Sequence, residues 1–219
     1  MILGIFGAGG LGREVLELAT QINQWEEIIF VDDAKEVNTK RENIKLLTFD
    51  KMKSSYSTEN IELIIAVGEP TTRELVCNKV LQAGYRLATL VHPSIHIPKT
   101  TVLEAGVIIA ANTIVSCDIH IGLNTFIQNS VSIGHDTIIG KHSVVSAFDA
   151  VAGACVIGDR TYIGMSVPIK ELISIGSDTV VGMGSVVVRD IPDNVIAMGN
   201  PARPMKHKDD SRVFNSSKG

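Results

Sequence analysis

Aromatic side chains are scarce: Phe, Trp and Tyr make up 5% of the 219-residue chain. That is too few for the stacking platforms that hold single-stranded nucleic acid. An excess of positive charge is missing as well. Twenty Lys and Arg stand against twenty-four Asp and Glu, for a formal net charge of −4, and no basic run offers a phosphate backbone a footing. Nucleic acid is therefore not an expected partner. Cysteine is limited to Cys77, Cys117 and Cys155. With no C-x-x-C pair, these read as reduced, partly buried thiols of a cytoplasmic protein. No apolar run approaches the roughly 20 residues that a membrane-spanning helix needs. The opening residues 1–7 lack a basic flank and a cleavage site, so neither a leader nor a membrane partner is expected.

What is present falls into two parts with different periods. Up to about residue 92, short apolar runs alternate with helical stretches. Strands are predicted over 2–6, 28–31 and 63–67, and helices over 11–22 and 71–83, the second closed by Gly84. Strands alternating with helices predict a small α/β domain with a parallel sheet, half of a dinucleotide-binding fold. From Ile97 to Val187 every sixth residue is Ile, Leu or Val, sixteen times without a slip. No helix or flat sheet has that period, whereas a solenoid coil with three faces turns one aliphatic inward per face. Glycine follows the aliphatic at Gly122, Gly134, Gly140, Gly158, Gly164, Gly176 and Gly182, as a corner needing positive φ or close backbone approach would require. Small or β-branched residues recur four places after it, including Thr125, Thr137 and Thr161, which strand propensity favours. The domains are accordingly set at 1–92 and 93–205. Residues 206–219 are polar and without period, and are expected to form a disordered tail.

The tandem pattern [LIV]-[GA]-x-x-[STAV]-x resembles the hexapeptide-repeat acyltransferases, whose fold is a left-handed parallel β-helix. The opening Gly7-Ala8-Gly9-Gly10-Leu11-Gly12-Arg13-Glu14 and the closing Gly199-Asn200-Pro201-Ala202 are similar to the sialic-acid and nucleotide-sugar branch, which includes N-acetyltransferases of 4-amino-4,6-dideoxy sugars. The likeness implies an acetyl-CoA-dependent N-acetyltransferase that works without a metal on a nucleotide-linked amino sugar, assembled as a homotrimer. O-acetylation of a sugar or sialic-acid hydroxyl, and a β-helix that binds a nucleotide sugar without turning it over, stand as alternatives.

Gly7, Ala8, Gly9, Gly10 and Gly12 fit G-x-G-x-x-G between a predicted strand and a predicted helix. Glycines there let a backbone approach a diphosphate at a helix N-terminus. Asp32, about twenty residues on, is placed to take ribose hydroxyls, and Gly68 follows the third strand. His135 stands two places after an inward aliphatic, beside Asp136. An outward imidazole with an adjacent carboxylate suits general-base work near neutral pH. By resemblance His135 is the base and Asp136 its orienting partner. Gly153 is an oxyanion donor, Met165 and Met183 line the pantetheine path, and Gly184, Asn200 and Pro201 bracket the rest of the coenzyme. Relatives carry a second histidine nine residues after the base. That place is Val144 here, with His142 the candidate substitute. A zinc site built from His120, His135 and His142 is not expected, because the three occupy different places in their hexapeptides.

Overall fold

The computed structural model describes residues 1–34, 44–207 and 213. Its first part is a parallel five-stranded sheet. Strands β1 (Ile2–Phe6), β2 (Glu27–Val31), β3 (Leu46–Leu47), β4 (Ile61–Ile65) and β5 (Arg86–Leu87) run in the order β3-β2-β1-β4-β5. Helices α1 (Gly10–Ile22), α2 (Phe49–Ser55) and α3 (Pro70–Gln82) cover it. The order reverses beside β1, so a crevice opens at the carboxyl ends of β1, β2 and β4, where open α/β sheets take ligands. Gly12 has to be glycine for packing: a Cβ there would lie 2.0 Å from the Gly7 carbonyl oxygen. Gly84 ends α3 at φ +83°, as expected of a residue just past a helix.

The second part is a left-handed parallel β-helix, whose two-residue strands stack into three faces. Face 1 points Leu103, Ile121, Ile139, Ile157 and Ile175 inward; face 2 does so with Ile109, Ile127, Val145, Ile163 and Val181; face 3 with Val115, Ile133, Val151 and Ile169. Of the sixteen periodic aliphatics, those from Ile109 to Val187 are buried, and Ile97 and Leu103 pack half-buried at the open first coil. The ladder also extends past both ends of the run. Val91 joins face 2 through its pairing with Ile109, and after Val187 a shorter turn brings Ile191 and Ala197 into line with Ile175 and Val181.

The repeat decides one alternative and departs from one expectation. The glycines after the aliphatics do not have positive φ. They are needed for close approach: a Cβ on Gly134 would fall 2.5 Å from Gly153 N, and one on Gly158 would fall 2.4 Å from Ser177 N. Positive φ comes two residues later. Twelve residues from Asn112 to Asp178, one per corner, have φ between +51° and +64°. The small residues one place further on sit in the corners rather than in strands. Their hydroxyls bond the coil above, as Thr125 Oγ1 does to Gly140 O at 2.7 Å and Thr161 Oγ1 to Gly176 O at 2.6 Å. Buried hydroxyls need such acceptors.

The two parts share a core. Helix α1 lies between the sheet and face 2, with Val15, Leu16 and Ala19 against Ile108, Phe126 and Val144. Both sides of the helix are thus apolar, and the outward positions of face 2 are buried at Ile108, Phe126 and Val144 and half-buried at Tyr162 and Val180, while those of faces 1 and 3 stay largely exposed. At the junction, His92 bonds Gln21 of α1 and Ser94. Lys206 and His207, read from sequence as the start of a patternless tail, instead close a last strand, Arg203–His207, that pairs antiparallel with Val195–Met198. Strand pairing there does not depend on the hexapeptide period. The remaining tail positions lie outside the described residues except Val213, whose N–H donates to Glu69 Oε2 at 2.6 Å. No described helix is long and apolar enough to cross a membrane.

Candidate active site

Each coil has three corners, which we number by the face each follows: first after face 3, second after face 1, third after face 2. His135 is on a first corner. Because Asp136 takes the left-handed turn at φ +56°, a conformation Asp adopts more readily than most residues, its carboxylate folds back onto the neighbouring ring. His135 Nδ1 and Asp136 Oδ2 are 2.7 Å apart, and both side chains are about three-fifths exposed. With Nδ1–H donating to the carboxylate, Nε2 is the free, outward-facing acceptor of the imidazole. One coil on, Gly153 supplies the floor for the ring: a Cβ there would lie 2.7 Å from both Cε1 and Nε2. The resemblance makes Gly153 a donor of an N–H; its missing side chain also makes room for the imidazole.

The corners differ in how their amides are satisfied. On second corners the N–H two places after the aliphatic is capped by a side chain: Leu123 by Glu104, Lys141 by Asp159, Asp159 by Ser177 and Ser177 by Asp193, at 2.6–3.1 Å. The equivalent amides of His135, Gly153, Met165 and Met183, on first and third corners, meet no acceptor among the described residues. Open donors beside an imidazole are what an acyl carbonyl needs as charge moves onto its oxygen. Met165, Met183 and Gly184 lie on third corners, and Asn200 and Pro201 are exposed in the turn that follows the last rung of face 2. The positions expected from the resemblance to meet coenzyme are therefore split, with Gly153 beside His135 and the rest across face 3.

The two residues considered for the second-histidine role lie elsewhere. Val144 is buried under α1. His142 is on a second corner, 4% exposed, with Nδ1 accepting from Asn124 Nδ2 at 3.0 Å. Burial holds its pKa below the usual imidazole value. Within the chain it does not reach the corner of His135. His120 points outward from face 1 and pairs with Glu104 at 2.8 Å.

At the crevice of the α/β domain a cavity of about 370 Å³ is lined by Phe6, Gly7, Asp32, Asp33, Val67 and, from α3, Thr72, Val76 and Lys79. Gly7 takes φ +113°. Beyond it, Gly9 has open space where a side chain would go, and helix α1 begins there without a side-chain cap. Gly10 is exposed and Gly68 sits half-buried one residue past Val67. Asp32 is partly committed to the protein, accepting from Ala8 N and Ala34 N at 2.9 Å each. Sequence reasoning missed Asp33 and Lys79. Lys79 Nζ is 2.6 Å from Asp33 Oδ2 and lies over the Phe49 ring. That ion pair joins positions 46 apart, and only the sheet order brings them together.

Residues 3–80 match the family described as the PglD N-terminal domain. Over nearly the whole chain the fold is similar to PerB from Caulobacter crescentus in complex with CoA and GDP-perosamine, at 27% identity and TM-score 0.86, covering 94% of this chain and 98% of that one. It is also similar to WeeI from Acinetobacter baumannii AYE (25%, TM-score 0.83, 94% and 100% covered). The acetyltransferase domain of PglB from Neisseria gonorrhoeae FA1090 in complex with acetyl coenzyme A is a third match (25%, TM-score 0.77, 93% and 98% covered). With a triangular prism of hexapeptides, a PglD-type domain packed on its second face and this likeness along its length, the chain is similar throughout to the hexapeptide-repeat sugar acetyltransferases.

Proposed function

We propose that the chain transfers an acetyl group from acetyl-CoA to the amino group of a nucleotide-linked sugar, with His135 as general base. The observation that carries the reading is the outward Nε2 of His135, oriented by Asp136 and seated on Gly153 among open amides. A sugar ammonium is a poor nucleophile until it loses its extra proton. As the amine attacks the thioester carbonyl, Nε2 takes the second proton from nitrogen. The N–H of Gly153 faces the developing oxyanion. The C–S bond then breaks, and the imidazolium returns its proton to the departing thiolate. The cavity at Gly7 and Asp33 accommodates the nucleoside, with the diphosphate against the open start of α1. Full-length relatives that hold CoA and a GDP-sugar support both halves of this reading.

The split of the coenzyme positions across face 3 favours a homotrimer. Face 3 exposes Ile114, Ala150 and Pro168, and the corner beside it exposes Phe148. A second copy that set its third corner against the first corner of its neighbour would bring Met165 and Met183 to His135, and three such contacts close a ring. Thiol release from acetyl-CoA, followed with UDP-, GDP- and dTDP-linked amino sugars, tests the activity, and absence of turnover with all of them counts against it. Sedimentation equilibrium tests the assembly: a fully active monomer would refute the shared site.

A further inference from the structure

Arg73 of α3 is wholly buried, and among the described residues its partners are carbonyl oxygens rather than carboxylates. Nε and Nη2 donate to the Asn124 carbonyl at 3.1 and 2.7 Å, and Nη2 also to Asn124 Oδ1 at 2.9 Å. Nη1 donates to the carbonyls of Ile65 and Val67 at 2.9 and 2.8 Å. Every N–H of the guanidinium is used. Burying a cation without a counter-charge costs several kcal/mol, and an apolar side chain of similar size would fill the space more cheaply. Desolvation brings the pKa of Arg73 down to about 9.

What the guanidinium joins explains the expense. Ile65 ends β4, and Val67 lines the cavity of the α/β domain. Asn124 sits on a second corner of the β-helix, fixed in turn by donating Nδ2 to the Arg73 carbonyl and to His142. The helix that carries Arg73 supplies Thr72, Val76 and Lys79 to the opposite wall of the same cavity. We propose that Arg73 is a positioning residue that holds both cavity walls against the β-helix and so presents the bound substrate to the acylation site in register. The proposal rests on the cavity being the nucleotide-sugar site. A planar fork suits the task because it reaches three carbonyls and an amide oxygen at once, whereas an ammonium directs all its donors from a single atom. Errors of about 1 Å in substrate placement can cost about 10²-fold in rate.

Two variants test it. Arg73→Lys keeps the charge and loses the fork. Asn124→Gly removes the side-chain partner at a corner whose φ of +56° glycine adopts freely. The expected result is a rise of about 10-fold or more in KM for the nucleotide sugar with Arg73→Lys, and a smaller rise with Asn124→Gly. KM for acetyl-CoA should stay within about 2-fold in both, because the coenzyme positions lie on other corners. Equal rises in the two KM values would mean general loosening and would overturn the proposal, as would folded variants with unchanged KM values. If Arg73→Lys does not fold, Asn124→Gly decides alone. Calorimetric binding of UDP, GDP and dTDP separates the two levels. A wild-type protein that binds none of them sinks the cavity reading together with this proposal. Tight binding by wild type and variants alike sinks the positioning role only.

Discussion

His135 and His142 stand on consecutive corners of one coil, and the protein treats them in opposite ways. The first corner is open: its imidazole faces solvent, the N–H of His135 meets no acceptor among the described residues and its neighbour one coil on is a glycine. The second corner lies under α3. Its amides are capped, and its histidine is enclosed by Asn124, with Glu74 4.0 Å from Nε2. In a repeat whose backbone is the same at every corner, chemistry is allotted by what covers the corner. A histidine on a covered corner becomes part of the joint between domains, and one on an open corner is available to a substrate.

The strongest way to break this contrast is to remove the two histidines in turn. His135→Ala is expected to lower kcat/KM by about 10²- to 10⁴-fold, the usual worth of a positioned general base. Its melting temperature should not change, because the ring is exposed. A variant as active as wild type on a confirmed substrate would end the assignment. Next in size is Gly153→Ala, which keeps the base but puts a methyl where the ring now rests. Displacement of the imidazole is expected to reduce kcat by about 10²-fold, with acetyl-CoA turnover as the measurement.

The covered corner should respond in stability instead. His142→Ala leaves buried Asn124 Nδ2 one acceptor short, a loss of about 1–3 kcal/mol in denaturant unfolding, with kcat within about 2-fold of wild type. The pH dependence tests the burial itself, because two buried groups pull in opposite directions. The pKa of His142 is lowered by burial, so the unfolded chain binds the proton more readily. The stability His142 contributes is complete above pH 6.5 and declines as pH falls below it. Asp149, inside a third corner, has one carboxylate oxygen without a partner and a pKa pushed up by burial to about 8. Here the folded state binds the proton more readily, so stability declines as pH rises from about 4 towards 8. Melting temperatures across pH 5–9 should show the upper decline vanish in Asp149→Asn and the lower one in His142→Ala. Unchanged curves would contradict the burial of these groups.

Much of the prism was legible because its signal is one-dimensional. Inward side chains recur at a fixed interval, and Ile133 and Ile139 bracket His135 whatever covers the outside. The glycine loop was legible for a similar reason, since Gly7 and Gly12 meet constraints set within one strand-turn-helix unit. Asp33 with Lys79, Arg73 with Asn124, and His142 with its cover were not. Each is a contact between distant segments, and the residue types give no warning. Arg73 is buried while Leu75, two places on, is 64% exposed, the reverse of what charge and hydropathy alone suggest. Where positive φ would fall was also unreadable, because Asn, Asp, Ser, Phe, Ala, Arg and Leu all occupy the left-handed corner position.

The order of residues alone settled that this chain winds into a three-sided coil and that an imidazole with a carboxylate beside it projects from one edge, because a six-residue interval admits no other way to bury so many aliphatics. Packing of the two parts against each other settled the rest. By laying α1 on one face and α3 over one corner, it decided which edges meet solvent. An uncovered edge keeps an accessible ring, and burial under α3 turns the same imidazole into a structural hydrogen-bond partner.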